Sequence, residues 1–268
     1  MKSREVLVYL NEIFRGDWNL ISEAIRMRRK IWNDPEEVER VAASIPTHFV
    51  TPTDPDYPKC FQMGYKPPYV LYYQGNLNLV QELDRAVTIV GARECSDYGR
   101  KMARELAEGL AQKGIAVVSG LATGIDSESL KAALPYGKAV GIIGNGIGRV
   151  YPSENEELQK EIGRNGLLIS EYPHNCPPAQ NHFPLRNRLL AAAGKVTIII
   201  EAQKHSGTMI TASFAAALGR DIGAVPFKAG QESCCNELIK DGAALIETVD
   251  DVLNIMEYNA WLRGCLLC

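Results

Sequence analysis

The chain has 268 residues, room for one large core or for one core with a small extra domain. A hydrophobic content of 46% and a charged content of 23% are ordinary for a soluble globular protein. The formal net charge of −3 gives no overall pull toward nucleic acid, so any such binding has to come from a local patch.

The N-terminus, Met1-Lys2-Ser3-Arg4, runs into a mixed polar segment rather than an apolar signal core. No stretch approaches the length of a membrane span, so no membrane partner is expected and the expected compartment is the cytoplasm. Up to about Pro46 the pattern is helical. Val6, Leu7, Leu10, Ile13 and Phe14 recur at helical spacing, and Leu20, Ile21 and Ile25 continue it. Arg26, Arg28, Arg29 and Lys30 form a basic run, read as a solvated helix face with a DNA-touching patch as the alternative. Over residues 51–78, Pro52, Pro55, Pro58, Pro67 and Pro68 break any long helix. That segment reads as a connector with one strand over 69–73, ended by Gly75-Asn76.

From Asp84 onward, apolar β-branched runs alternate with helical stretches. Strands are expected at 87–90, 115–118, 139–143, 167–169, 196–200, 222–225 and 244–246. Helices are expected near 97–113, 126–134, 154–163, 185–193, 208–218 and 235–241. Near-continuous apolar strands separated by helices indicate a parallel sheet covered on both faces. The fold class is α/β: a Rossmann-like, mostly parallel sheet with helices on both faces, preceded by a small helical segment. The expected divisions are 1–50 for that segment, 51–83 for the connector and lead-in strand, 84–256 for the Rossmann-like domain and 257–268 for a tail. The seven cysteines are an odd number without framework spacing and read as reduced thiols. Cys234-Cys235 is a vicinal pair, and Cys265 and Cys268 form a terminal CxxC. No second CxxC or paired histidine completes a zinc site, and no polybasic flank supports lipidation, so no metal is expected.

Right-handed crossovers bring every parallel strand's C-terminal end to one edge, where such sheets bind ligands. The first strand ends in Gly91-Ala92-Arg93 and the second in Ser119-Gly120-Leu121-Ala122-Thr123-Gly124-Ile125-Asp126. The third ends in Gly144-Asn145-Gly146-Ile147-Gly148, and the fifth in Glu201-Ala202-Gln203-Lys204-His205-Ser206-Gly207-Thr208. Glycine lets backbone approach an anion closely, and each following helix start points N–H groups and a positive dipole end the same way. Tight-turn geometry alone explains any single glycine turn; several on one edge favour a site. Gly91, Gly120, Gly124, Ser206 and Gly207 are its expected donors, with Lys204 as a nearby cation. Gly91-Ala92-Arg93 lacks the second glycine of a dinucleotide fingerprint, and no Walker sequence is present. Phosphate contact is thus expected without a cofactor and without catalytic residues.

After the fourth strand comes His182-Phe183-Pro184-Leu185-Arg186-Asn187-Arg188, which opens a helix. Arg186 and Arg188 are not both expected to face an apolar core. An exposed ring beside two guanidiniums suits single-stranded nucleic acid, the ring for a base and the cations for phosphates. The alternative is that Phe183 caps the core and an arginine pairs with Glu171 or Asp126.

Residues 87–93, Tyr98-Gly99 and 117–126 resemble the DprA/Smf family of DNA-processing proteins. So do Tyr151-Pro152-Ser153-Glu154-Asn155, Ser170-Glu171-Tyr172-Pro173, the motif at 182–188, Glu201-Ala202, residues 206–212 and Asp241-Gly242-Ala243. Tyr57-Pro58 and residues 67–75 match that family's lead-in, and the likeness runs in order from about residue 50 to about 256. The resemblance implies an extended Rossmann fold that binds single-stranded DNA and forms a homodimer. It implies protection of incoming DNA during natural transformation, loading of the RecA recombinase and no principal enzymatic role. By motif position Arg93 matches the family's main phosphate-binding arginine and Phe183 an aromatic contact near DNA. Arg186, Asn187 and Arg188 share that motif, and Ser206 and Gly207 match a second glycine turn. Thr123 stands where an arginine is common, Leu130 where a histidine is, and Gln180-Asn181 where a basic residue often precedes the aromatic motif. Cys235 replaces a threonine and Phe227 a glycine. The chain is expected to lack the C-terminal winged-helix module of many members and to carry a reduced form of their N-terminal helical domain.

Two rival expectations remain. A nucleotide-binding Rossmann protein would use the same anion edge, with Glu171 and Asp126 as candidate acids or bases. An interaction protein that had lost DNA binding would fit the missing basic positions and the net charge.

Overall fold

The structure is a computed structural model that describes residues 3–27, 34–62, 64–231 and 233–265, with side chains to Glu257 in the last helix. Three helices come first: α1 (Ser3–Ile13), α2 (Trp18–Arg26) and α3 (Pro35–Ser44). Asp17 Oδ1 accepts the N–H groups of Asn19 and Leu20, and Asp34 Oδ1 does the same for Glu36 and Glu37, so each helix starts where a carboxylate takes its unpaired donors. Leu10, Ile21, Ala24 and Val38 form their small shared core. Of the expected basic run, Arg26 is exposed, and Arg28, Arg29 and Lys30 lie outside the described residues.

Among the described residues, nine strands form one sheet: β1 (His48–Val50), β2 (Leu71–Gly75), β3 (Val87–Gly91), β4 (Val117–Ser119), β5 (Ala139–Ile143), β6 (Leu167–Ser170), β7 (Val196–Ile200), β8 (Asp221–Ala224) and β9 (Ala244–Leu245). Their order is β1-β2-β6-β5-β4-β3-β7-β8-β9. The β1–β2 and β2–β6 pairings are antiparallel and all others parallel, as the mostly parallel expectation requires. Helices α4 (Asp97–Gln112), α5 (Ile125–Ala133), α6 (Glu156–Asn165), α7 (His182–Ala193), α8 (Gly207–Ala217), α9 (Cys235–Lys240) and α10 (Val249–Cys265) connect and cover it. The two-residue alternation of a strand divides the core into two layers. Val87, Ile89 and Val117 pack with Leu106 and Leu110 of α4, Ile125 of α5 and Ile162 of α6. Val90, Val118, Val140 and Ile142 pack with Leu189 and Leu190 of α7, Ala212 of α8 and Cys235 of α9. Burial on both faces is why these strands read as continuous apolar runs.

The departures from expectation are local. β1 lies inside the 1–50 division, just past the helical pattern that ends at about Pro46, and it pairs His48 with Tyr73 of β2. Three residues carry too little alternation to be seen without their partner. The lead-in strand sits two residues later than expected, and a 3₁₀ helix follows at Leu77–Arg85. α7 starts at His182, three residues early, because Pro184 is tolerated in a helix's first turn. The expected tail from 257 continues α10 to Cys265; Cys268 lies outside the described residues. Cys234 and Cys235 are buried free thiols, and among the described residues no cluster of three metal-ligating side chains occurs. No described helix is long and apolar enough to cross a membrane.

From β3 the chain steps through β4, β5 and β6 in one direction, then returns to place β7 on the other side of β3. The loops after β3 and β7 therefore diverge at a topological switch point, where an open α/β sheet leaves a crevice.

Candidate functional site

A cleft of about 730 Å³ occupies that switch point, lined by Gly91 and Arg93 after β3, Phe183, Arg186 and Asn187 of α7, and Ser206 and Gly207 after β7. A second hollow of about 40 Å³ shares Arg93, Phe183 and Arg186 and adds Gly120, Thr123 and Tyr151. The arrangement brings together most of the residues singled out in the sequence.

Arg93 is exposed, and among the described residues no hydrogen bond or ion pair engages its side chain. Its loop is set by Gly124 at φ +74°, where a Cβ would lie 2.3 Å from the carbonyl oxygens of both Ala92 and Arg93. Gly124 is itself buried and lines neither space, so its part is to direct the Arg93 loop.

The two arginines of α7 correct the expectation that they stand exposed. Arg188 is 3% exposed. Its Nη1 donates to Glu171 Oε1 at 2.7 Å and its Nη2 to Oε2 at 2.6 Å, a bidentate pair. Its Nε also donates to the carbonyls of Tyr65 and Lys66. The guanidinium is thus spent on tying the lead-in segment to α7. Arg186 is 5% exposed; Nη1 donates to the carbonyls of Gly120 and Ile142, and Nε to Asn187 Oδ1. The alternative, an arginine paired with Glu171, holds for Arg188, and burial of both is possible because carbonyls at strand ends and a carboxylate can satisfy a guanidinium that an apolar core cannot. Desolvation pushes the Arg186 pKa down to about 10, opposed by Asp126 and reinforced by Arg93, so it stays charged at neutral pH. Burial raises the Asp126 carboxyl against the pull of Arg186 and of backbone N–H groups. Unlike Arg188, Arg186 still lines both spaces and contributes charge to the cleft floor.

The strand-end glycines mostly make room for protein. A Cβ at Gly91 would lie 1.9 Å from the Ile200 carbonyl, and one at Gly120 would lie 2.7 Å from Arg186 Nη2 and from Asp126 Oδ2. Two expected anion places are filled internally. Glu201 Oε2 accepts both the N–H and the hydroxyl of Ser96 at the start of α4, and Asp126 Oδ2 accepts the N–H groups of Gly120 and Ala122. The start of α8 differs. Among the described residues, Ser206 makes no side-chain cap there and its buried Oγ has no hydrogen-bond partner. Asn187 Nδ2 donates to the Gly207 carbonyl and fixes this turn against α7. Leu121, Glu201 and His205 hold positive φ at this edge, a conformation costly for residues with a side chain.

Lys204 does not face the cleft. It is exposed, pairs with Glu237 at 3.0 Å and borders a separate groove between α8 and α9. Gln180 does line the cleft, and Thr123 the smaller hollow, so both positions without an expected basic residue fall at the site. Phe183 is half-buried, tilted beside Tyr151 and lying against the residue that follows β5, where a Cβ at Gly144 would be 3.0 Å from its Cδ1. His182 stacks on Tyr172 at 3.9 Å, its Nδ1 donates to the Gly144 carbonyl, and desolvation lowers its pKa. Tyr151 was absent from the expected site although it belongs to a quoted motif; an aromatic residue in a glycine-rich strand-end loop was the available signal.

Residues 48–257 match the family described as DNA recombination-mediator protein A. The DNA processing protein DprA of Streptococcus pneumoniae is 36% identical over 254 residues, 92% of this chain and 88% of that protein. Protein Smf of Synechocystis is 35% identical over 210 residues, 76% of this chain, which spans only 53% of that relative's length. Among solved structures, pneumococcal DprA superposes with a TM-score of 0.77 at 32% identity, covering 94% of this chain and 92% of that one. DprA of Helicobacter pylori, from work on its single-stranded DNA binding mode, gives a TM-score of 0.72 at 31% identity over 80% of this chain and 98% of that one. With the family match spanning the whole sheet and these identities along most of its length, the chain belongs to the DprA/Smf family of DNA recombination-mediator proteins.

Proposed function

We propose that this protein binds single-stranded DNA in the switch-point cleft and acts as a binding protein in DNA processing rather than as an enzyme. The observation that carries the reading is Arg93: an exposed cation with no partner among the described residues, in one cleft with Phe183 and the start of α8, which has no side-chain cap among them. Arg93 and the Ser206-Gly207 turn take phosphates, Arg186 adds charge from the floor, and Phe183 stacks on a base. Gly91, Gly120, Gly124 and Asn187 shape the cleft, and Arg188 holds its wall. The binding mode named for the Helicobacter pylori relative supports this ligand class. The strand-end carboxylates support a non-enzymatic role, since Asp126, Glu171 and Glu201 are each committed to protein donors. Family membership extends the proposal to incoming DNA in natural transformation, to loading of RecA, and to a cytoplasmic homodimer.

The test is anisotropy of labelled single- and double-stranded oligonucleotides across a salt series, with Arg93→Ala beside the parent. The variant is expected to bind the single strand about 1.5–3 kcal/mol more weakly. Its slope of log affinity against log salt is expected to be shallower by about 0.7. Unchanged affinity and slope would place the site elsewhere. A large thermal shift with mononucleotides, with no oligonucleotide binding, would favour a small-ligand site in the same cleft.

A further inference from the structure

We propose that Tyr151 is a second nucleobase-stacking group, forming with Phe183 one two-ring wall that takes consecutive bases of a strand. The inference rests on the strand lying in the cleft. Tyr151 is 39% exposed and lines both the cleft and the adjoining hollow, as Arg93 and Phe183 do. Its ring centroid lies 5.0 Å from that of Phe183, with the planes tilted by 33°. A base held between two rings needs about 7 Å between them, two carbon contact distances of roughly 3.5 Å. The rings therefore do not form a slot for one base. They form one continuous two-ring surface on the same rim as Arg93, with Tyr151 the more exposed ring.

The support of the ring points the same way. Tyr151 lies in the loop after β5, and three buried amides pin that loop. Asn155 Nδ2 donates to the Leu121 and Ala122 carbonyls at 2.9 and 3.1 Å. Asn145 Nδ2 and Gln159 Nε2 both donate to the Arg149 carbonyl, at 2.8 and 2.9 Å. Among the described residues no hydrogen bond holds the Tyr151 hydroxyl, so the ring is placed by its backbone and by Phe183 rather than by its polar end. A large ring on a rigid loop, partly open to water, is what a stacking platform requires.

The experiment compares Tyr151→Leu, Tyr151→Phe, Phe183→Leu, the double Leu variant and Arg93→Ala in oligo-dT binding across salt, with thermal midpoints as a folding control. Tyr151→Leu is expected to lower affinity roughly five- to hundred-fold without changing the salt slope, because stacking releases no counterions. Tyr151→Phe keeps the ring and is expected to bind like the parent. The double Leu variant is expected to bind more weakly than either single one, since each ring serves its own base, while the contact between the rings keeps the two losses from being independent. Parent-like binding by Tyr151→Leu with a loss in Arg93→Ala overturns this proposal and leaves the cleft reading standing. A loss in Tyr151→Phe equal to that in Tyr151→Leu, or a double variant no weaker than either single one, also overturns it. If neither Arg93→Ala nor Tyr151→Leu alters binding, the cleft reading itself fails.

Discussion

Arg93, Arg186 and Arg188 show how differently one side chain can be used within a single site. Arg188 faces Glu171 with side chains 2% and 4% exposed, so each charge is tolerable only because of the other. Glu171→Gln is expected to lower unfolding free energy by about 3–5 kcal/mol in chemical denaturation, because it leaves a buried guanidinium half-matched. A change near zero would mean that the backbone carbonyls alone satisfy Arg188. Gln180 presents the opposite case, a neutral residue lining a cleft built for anions. Gln180→Lys is expected to tighten single-strand binding and to steepen the salt slope by about 0.7 in the same titration. An unchanged slope would mean that no phosphate passes that wall.

At the scale of elements, the helix starts on the sheet's C-terminal edge are not equivalent. Glu201 occupies the start of α4, and Asp126 takes the donors of the loop before α5, whereas α8 begins at the cleft without a side-chain cap. An anion is best placed where no internal carboxylate already sits. Strand ends also position the ring: Gly144 follows β5, and the Phe183 ring rests where a Cβ there would press on it at 3.0 Å. Gly144→Ala is expected to push that ring outward, costing about 1–3 kcal/mol of stability by overpacking and weakening strand binding with it. Denaturation and anisotropy on one preparation check both effects; parent values in both would show that the ring does not depend on this contact.

For the whole molecule, the order of the sheet decides where the cleft lies, and the N-terminal helices brace the far side. Val8 of α1 shares a core layer with Val70 and Tyr72. The Tyr72 hydroxyl donates to Asn11 and Glu12, Asn11 Nδ2 donates to the Glu171 carbonyl, and Trp18 Nε1 donates to the Pro67 carbonyl. With a buried core of its own as small as Tyr9, Leu10, Ile21, Ala24 and Val38, this segment depends on that docking. Calorimetry is expected to give one cooperative transition with matching calorimetric and van 't Hoff enthalpies. An earlier, separate melting of the helices would show that the docking is weak.

Element type and order were legible in the sequence, because they follow from local periodicity and punctuation. The strands at 139–143 and 196–200 match β5 and β7 without adjustment, and Arg93, Phe183, Ser206 and Gly207 converge because parallel strands place their ends together. Local pattern could not show β1, whose three residues become a strand only against Tyr73. It offered the pairing of an arginine with Glu171 as one of two alternatives and could not choose Arg188 for it, nor could it show that Lys204 turns to Glu237 or that Tyr151 reaches Phe183. Those outcomes depend on side chains brought together from separate elements. A charge at a strand end is a ligand contact or an internal strut according to which partner the packing delivers, and only the tertiary structure decides that.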